Sequence, residues 1–198
     1  MPRRHLPWLV LLALPSCLSA IEPQPEVHFG IQASLATPRL DFRELTSKPG
    51  LGLGLFFEQD LDNGWSARAR FDYANFKEDT GLTSQRAAGL VAPATFRVAA
   101  NQAFLGADVH KRPFSGPFDK FFLLGSLGGF RTEFETAALG AQPGVILRDK
   151  EKTSLKLGYA LGAGWQFAVP FSATVRYTSV KLDNLDLATL EFGLGWRF

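Results

Sequence analysis

The sequence predicts an all-β fold, an eight-stranded antiparallel up-and-down barrel that crosses a membrane, and three features support this prediction. Apolar residues recur at every second position in most of eight segments. Several segments exceed the five or six residues usual in soluble strands and approach the roughly 9 to 11 that cross a bilayer at a tilt. Long and short connections also alternate along the chain, as an up-and-down meander requires.

The segment at residues 154–169 shows the alternation most clearly. Its even positions from Lys156 onward are small or polar. A soluble barrel would bury its large residues inside, so this segment indicates a strand whose bulky face meets lipid. The large or apolar residues on its other face are Leu155, Leu157, Tyr159, Leu161, Ala163, Trp165, Phe167 and Val169.

The first twenty residues have the layout of a secretory signal. Arg3 and Arg4 precede an apolar core at residues 6–14, and small residues lead to Ala20. This core is too short for a membrane helix. We expect cleavage after Ala20, which leaves a barrel domain at 21–198; the alternative is lipidation at Cys17, because residues 14–17 (Leu-Pro-Ser-Cys) resemble a lipoprotein box.

Removal of residues 1–20 makes the chain electrically neutral. The leader holds two of the 21 basic residues and none of the 19 acidic ones, so 19 of each remain. A neutral chain implies no nucleic acid or other polyanionic partner. The only cysteine also leaves with the leader, so we expect a closed, hydrogen-bonded barrel rather than disulfides to provide stability.

The remaining strands follow the same pattern with two irregularities. The Asn63-Gly64 pair predicts a tight hairpin. A β-bulge is expected at 99–101, because the apolar residues fall on even positions up to Val98 and on odd positions around Leu105. The facing of 121–132 is undetermined, because both its odd and its even positions are apolar. The predicted strands are 26–37, 51–59, 65–75, 95–110, 121–132, 154–169, 171–180 and the segment after 186.

The connections predict which end of the barrel faces outward. Polar segments at 39–50, 76–94, 133–153 and 181–186 alternate with shorter ones at 60–64, 111–120 and around Pro170. Outer-membrane barrels place long loops outside and short turns in the periplasm. Both termini are then periplasmic.

This topology gathers aromatic residues at the two rims of the barrel. A ring of amphipathic aromatics at one level is typical of a membrane interface. A sparser outer ring is expected from Tyr73, Phe96 and Tyr177. The predicted periplasmic girdle consists of Phe57, Trp65, Trp165, Phe167, Phe171 and Trp196, with Phe198 beside them.

Charged residues recur on the opposite, inward parity. Eight strands enclose an interior that side chains just fill, where an unpaired charge is costly. We therefore predict a paired polar network rather than a transport path, with small inward residues making room for Arg and Lys. The predicted network is Glu58, Arg68, Arg70, Asp72, Asp108, Lys156, Arg176, Glu191 and Arg197.

The last nine residues, LEFGLGWRF, resemble the terminal strand of bacterial outer-membrane proteins. Phe192, Leu194, Trp196 and Phe198 alternate there, and the chain ends in an aromatic residue. The mature chain as a whole resembles the small eight-stranded outer-membrane barrels of the OmpA-transmembrane, OmpX and opacity-protein type. The resemblance implies an integral, monomeric protein of a Gram-negative-type outer membrane without a cofactor. Its implied partners are membrane lipids, lipopolysaccharide and the barrel-assembly machinery that reads the terminal strand.

Several functions remain open at this point. The leading hypothesis is a non-enzymatic structural or surface-interaction protein whose loops meet an unknown ligand; alternatives are a narrow channel for small solutes and a secreted lipocalin-like barrel. Catalysis on outer-leaflet lipid is disfavoured because His28 and His110 fall at periplasmic strand ends. A basic patch around the third outer loop suits lipopolysaccharide phosphates and consists of Arg131, Arg148, Lys150 and Lys152.

Overall fold

The computed structural model describes residues 26–80, 95–139, 146–182 and 185–198. Only the backbone is described at 80, 95–96, 136, 138–139 and 146–152. Eight antiparallel strands form a closed barrel in sequence order. Among the described residues, no helix is long and apolar enough to cross a membrane. The strands are β1 (Val27–Arg39), β2 (Gly50–Asp60), β3 (Trp65–Thr80), β4 (Thr95–Lys111), β5 (Phe121–Leu139), β6 (Ile146–Ala168), β7 (Phe171–Leu182) and β8 (Leu185–Arg197).

The barrel closes where β1 pairs with β8. Gly30 lies opposite Arg197, and the register continues to Arg39 opposite Ala188. The start of β1 and the end of β8 therefore lie at one end of the barrel, together with the connections at 61–64, 112–120 and 169–170. We call this the periplasmic end and the opposite end the outer end.

The faces of the strands have the predicted orientation. Leu157 is 84% exposed, whereas Arg176 is fully buried and Arg70 nearly so. The predicted hairpin also forms, with Asn63 at φ 58° and Gly64 at φ 72°. Positive φ at both residues matches the twist of the flanking strands, which is why Asn-Gly is favoured there.

Three outer connections are shorter than predicted, because strands extend beyond the membrane-spanning length. In the segment 181–186, Lys181 pairs with Asp186 and Leu182 with Leu185. The segment 133–153, expected to be a loop, instead belongs largely to a long β5–β6 hairpin, in which Glu133 pairs with Thr153 and Ala138 with Arg148. β3 likewise continues to Thr80. Polar composition marks these extensions as exposed to water but does not distinguish a strand from a loop.

The predicted β-bulge at 99–101 is wrong in its position. β4 keeps one parity throughout, with Val98, Ala100 and Phe104 all buried. The register instead shifts in β3, between Phe76 and Asp79. The apparent change of parity arises because the outer half of the lumen is apolar, so inward positions there carry apolar residues.

The structure also determines the facing of β5. Phe122, Leu124 and Phe130 are buried in the lumen, while Leu123 and Leu127 are exposed on the outside. Both parities are apolar because lipid covers one side and inward aromatic side chains fill the other.

The prediction of a polar loop at 39–50 is wrong, because this segment contains a short helix, α1 (Leu40–Leu45), that closes the outer end. Phe42 is fully buried, and its ring lies 4.8 Å from Phe76 and 5.9 Å from Phe134, centroid to centroid. Val180 and Leu187 belong to the same apolar cluster. We call this cluster, centred on Phe42, the outer plug.

Loss of the Phe42 ring should destabilise the barrel. We expect Phe42→Ala to lower the free energy of unfolding by about 3 to 5 kcal/mol, because the substitution leaves a cavity inside the plug. Urea unfolding in detergent micelles, followed by tryptophan fluorescence, measures this. Glu44→Ala, at an exposed position of the same helix, is the control and should stay within about 0.5 kcal/mol; equal effects of the two substitutions would contradict the burial of Phe42.

Candidate functional site: the lumen and the periplasmic rim

Asp108 forms the centre of a buried network of charges in the lumen. Arg70 Nε lies 3.2 Å from Asp108 Oδ2, and Arg176 Nη2 lies 3.5 Å from the same oxygen. The side chains of Asp108 and Arg176 are both fully buried. Three strands, β3, β4 and β7, thus place their charges at one point across the lumen.

The network continues toward the periplasmic end through Glu58. Arg68 Nη2 donates to Glu58 Oε2 at 2.9 Å, and Ser66 Oγ donates to Glu58 Oε1, also at 2.9 Å. His110 lies between two carboxylates, with Nδ1 3.7 Å from Glu58 Oε1 and Nε2 3.7 Å from Asp108 Oδ2. His110 therefore links the central charges to the periplasmic ones.

Toward the outer end, the network includes Asp72 and Glu191. Arg70 forms an ion pair with Asp72, and Gln32 Nε2 donates to Glu191 Oε1 at 3.1 Å. Four carboxyl groups (Glu58, Asp72, Asp108 and Glu191) thus share the lumen with three guanidinium groups (Arg68, Arg70 and Arg176) and His110. Near balance of charge is what a low-dielectric interior requires.

Aromatic rings fill the space between these charges. The guanidinium carbon of Arg68 lies 3.9 Å from the centre of the Phe56 ring, and that of Arg70 lies 4.3 Å from Phe104. The His110 ring stacks on Phe122 at 5.0 Å. These cation–π and stacking contacts hold long charged side chains in single positions.

Many inward glycines make room for these rings, a role that the sequence prediction assigned to the fit of Arg and Lys alone. A Cβ atom at Gly164 would overlap Phe122, and one at Gly158 would lie 2.7 Å from the Phe130 ring. Gly30 faces Phe56 in the same way. The glycines thus allow an eight-stranded lumen to hold phenylalanine as well as arginine.

Two residues of the predicted network lie outside this buried group. Lys156 has the inward parity of β6 but is exposed near the outer end. Arg197 is partly buried at the periplasmic end, with Nη1 3.6 Å from Asp60 Oδ2. The other seven predicted residues line the lumen.

The cavities inside the described barrel are small. One of about 30 Å³ at the periplasmic end is lined by Arg68, His110 and Arg197, and another of about 30 Å³ lies between Arg70, Gln102 and Glu191. A cavity of this size has room for one or two water molecules. The charges near Asp108 and the apolar outer plug also lie inside the barrel.

The residues of the predicted girdle lie on the outer surface at the periplasmic end. Phe171 stacks near Trp196 and Phe167, at centroid distances of 6.1 and 6.0 Å, and Trp196 lies 5.9 Å from Phe198. Phe57 and Trp65 are likewise exposed. In the outer ring, Tyr73 and Tyr177 are exposed, while the Phe96 side chain lies outside the described part of the chain.

Sequence reasoning missed several members of the lumen and rim. Ser66, Gln32 and His110 join the ion network, and Phe114 and Phe118 add aromatic rings beside Trp165. The alternation of side chains along their strands would have placed Ser66, Gln32 and His110 inside. The position of Phe118 had no comparable signal, because it lies in a connection.

His28 and His110 belong to separate groups. His28 Nε2 lies near Glu26 and Asp60, at 3.7 and 3.5 Å, whereas His110 contacts Glu58 and Asp108. Both lie toward the periplasmic end, as the sequence predicts.

Asp108 should be essential for the stability of the barrel. We expect Asp108→Asn to cost about 3 to 5 kcal/mol, because the substitution leaves Arg70 and Arg176 buried without their shared counter-ion. Urea unfolding measures the change. Asp119→Asn removes the same charge from an exposed turn and should cost less than about 0.5 kcal/mol; a similar cost at both positions would show that Asp108 is not a buried counter-ion.

Structural comparison finds barrels of the same architecture. Ail, the attachment invasion locus protein of Yersinia pestis, superposes with a TM-score of 0.58 at 16% identity, over 88% of this chain and 99% of Ail. A second Ail structure, in complex with the heparin analogue sucrose octasulfate, gives 0.59 at 17% identity with the same coverage. The N-terminal barrel of Pseudomonas aeruginosa OprF gives 0.54 at 13% identity, over 88% of this chain and 100% of that domain.

Sequence comparison identifies the family. No curated protein sequence matches the chain, but the family model of the outer membrane protein beta-barrel domain matches residues 9–198. This match agrees with the closed eight-stranded barrel and its apolar outer face, and it removes the lipocalin-like alternative. The chain belongs to the outer membrane protein beta-barrel family and is an integral outer-membrane β-barrel.

Proposed function

We propose that this protein is a non-enzymatic, monomeric outer-membrane barrel that does not conduct solutes and acts through its outer surface, in a structural or surface-interaction role. The observation that carries the proposal is the filled lumen. Ion pairs around Asp108 occupy its middle, and the outer plug around Phe42 closes its outer end. Function then resides in the surfaces rather than in a path between them.

A solute would have to displace both obstacles in order to cross. Movement of Arg176 out of the lumen centre separates buried charges, and such separation is strongly unfavourable at low dielectric. The two cavities of about 30 Å³ hold only a few waters. The filled lumen therefore favours a closed barrel over the narrow channel that the sequence left as an alternative.

The outer end supports a role in surface contact because its described segments are tied together. Ser47 bonds Asp79 through its backbone N–H and its hydroxyl, at 2.9 and 2.6 Å. The backbone N–H of Asp186 donates to Asp41 Oδ2 at 2.7 Å. These hydrogen bonds fix α1 and the residues after it to β3 and β8, so the outer end presents an ordered surface.

Lipids and the assembly machinery are the partners in this proposal. Arg131 is exposed on β5 and pairs with Glu133 at 2.5 Å, and it is the described side chain of a basic patch suited to lipopolysaccharide phosphates. The exposed side chains of Phe192, Leu194, Trp196 and Phe198 on the terminal strand form the proposed assembly signal. The leader at 1–20, with its alternatives of cleavage after Ala20 or lipidation at Cys17, lies outside the described residues.

The closed lumen predicts that the barrel does not conduct ions. We expect the barrel, reconstituted in planar lipid bilayers, to add no steady conductance above that of lipid alone, because the ion network and the plug leave no continuous water path. Heat-modifiable gel migration of the same preparation verifies that the barrel is folded. A stable unitary conductance from the folded protein would refute the proposal and favour the channel.

The orientation predicts which positions react from outside the cell. We expect Glu44→Cys in α1 to be labelled on intact cells by a membrane-impermeant maleimide, because the outer end faces the medium. Asp119→Cys, in the periplasmic connection, is the matched variant and should react only after the outer membrane is permeabilised. Both changes are made in a chain whose sole native cysteine, Cys17, lies in the leader; the reverse pattern would overturn the proposed surface role of α1.

A further inference from the structure

Three potential metal ligands converge at the periplasmic mouth, beside the lumen network. One ligand atom each from Glu26, His28 and Asp60 lies within 4.8 Å of the other two. His28 Nε2 is 3.5 Å from Asp60 Oδ2 and 3.7 Å from Glu26 Oε2. These separations exceed the 2.7 to 3.2 Å usual for an N–H···O hydrogen bond, so the groups approach one another without bonding directly.

The separations suit a shared cation. Two ligands that each lie about 2.0 to 2.1 Å from a tetrahedral Zn²⁺ are roughly 3.3 to 3.4 Å apart. Movements of a few tenths of an ångström would bring His28 and Asp60 to that spacing. His28 Nε2 and Asp60 Oδ2 are therefore close to the spacing of two zinc ligands before any ion binds.

One of the converging ligand atoms has no hydrogen-bond partner. His28 Nε2 is buried and accepts or donates no hydrogen bond among the described residues, and the same holds for Asp60 Oδ1, the second oxygen of the carboxylate whose Oδ2 faces His28. A buried polar atom without a partner is costly. Coordination of a metal would satisfy His28 Nε2.

The backbone holds the three residues in register. His28 pairs with Glu58 across β1 and β2, and the backbone N–H of Asp60 donates to the Glu26 carbonyl at 3.1 Å. Residues 26, 28 and 60 share the inward parity of their strands. Glu26 remains largely exposed, which leaves a route for an ion from the periplasm.

Arg197 is a positively charged neighbour that would repel a bound cation. Its Nη1 lies 3.6 Å from Asp60 Oδ2, which is beyond hydrogen-bond distance. The Asp60 carboxylate therefore forms an ion pair with Arg197 that is not hydrogen-bonded. With a metal present, Arg197 would lie outside the coordination shell, where charged neighbours commonly orient ligating carboxylates.

We propose that Glu26, His28 and Asp60 form a binding site for one divalent transition-metal ion, Zn²⁺ foremost, at the periplasmic end of the β1–β2 pair. An imidazole nitrogen favours Zn²⁺ over Ca²⁺ or Mg²⁺, which prefer all-oxygen sites. Water completes the shell. The ligands come together only when β1 and β2 are in register, so the ion stabilises the strand that closes the barrel against β8.

Calorimetric titration with Zn²⁺ tests the site. The protein is purified from membranes in detergent without a histidine tag, and heat-modifiable migration verifies its folding. We expect one Zn²⁺ per chain, and at least tenfold weaker binding in His28→Gln and Asp60→Asn. Asp62→Asn, which removes the same charge from the adjacent exposed turn, should bind as the unmodified protein does.

A stability readout makes the test independent of heat signals. Zn²⁺ should raise the urea midpoint of the unmodified protein and of Asp62→Asn, but not that of His28→Gln. Glu26→Gln, at an exposed strand end, provides a second ligand variant if His28→Gln fails to fold. Absence of stoichiometric binding, unchanged affinity in the folded ligand variants, or a loss confined to His110→Gln would each overturn the proposal, and none of these results bears on the closed lumen.

Discussion

Closure of β1 against β8 is the constraint on which the rest of the structure depends. A bilayer offers no water to an open sheet edge, so every strand must find a partner on both sides. Phe198, just after β8, completes this seam with β1, since Phe198 and Phe29 exchange backbone hydrogen bonds of 2.8 and 3.2 Å. Once eight strands close, the width of the lumen is set, and it is wide enough only for side chains.

Side chains of different chemistry fill this narrow lumen in layers. The outer plug around Phe42 excludes water at one end, and the ion pairs around Asp108 fill the middle. Glycines opposite Phe56, Phe122 and Phe130 let aromatic rings lie between the charges. Because burial of charge is tolerable only with close partners, the network stabilises the barrel most when it is complete. In the proposed closed barrel, the complete network leaves no path for a solute, so function resides at the two rims.

The two rims differ in how their polar side chains are arranged. At the outer end, Ser47 and Asp41 tie α1 to its neighbours and form a shaped surface. At the periplasmic end, His28 and Asp60 bring ligand atoms together without a bond between them. A contact role suits the first arrangement and an ion site the second. Both arrangements depend on strands that the closed barrel already holds in register.

The period-two pattern by itself determined the eight strands and, apart from β5 and the outer half of β4, their two faces, because lipid on one side and a narrow interior on the other impose a strict alternation. It placed Asp108 and Arg176 inside and Leu157 outside for that reason. The alternation of long and short connections indicated the order of the strands. Only the tertiary structure decided which charges meet, since Arg176 on β7 lies far in sequence from Arg70 on β3 and Asp108 on β4. It also decided that α1 closes the outer end and that β5 turns Phe122 inward: Phe42 is the one aromatic residue in a largely polar segment, and both faces of β5 are apolar. Such positions carry no periodic signal, so what they pack against depends on neighbours that the closed barrel brings together.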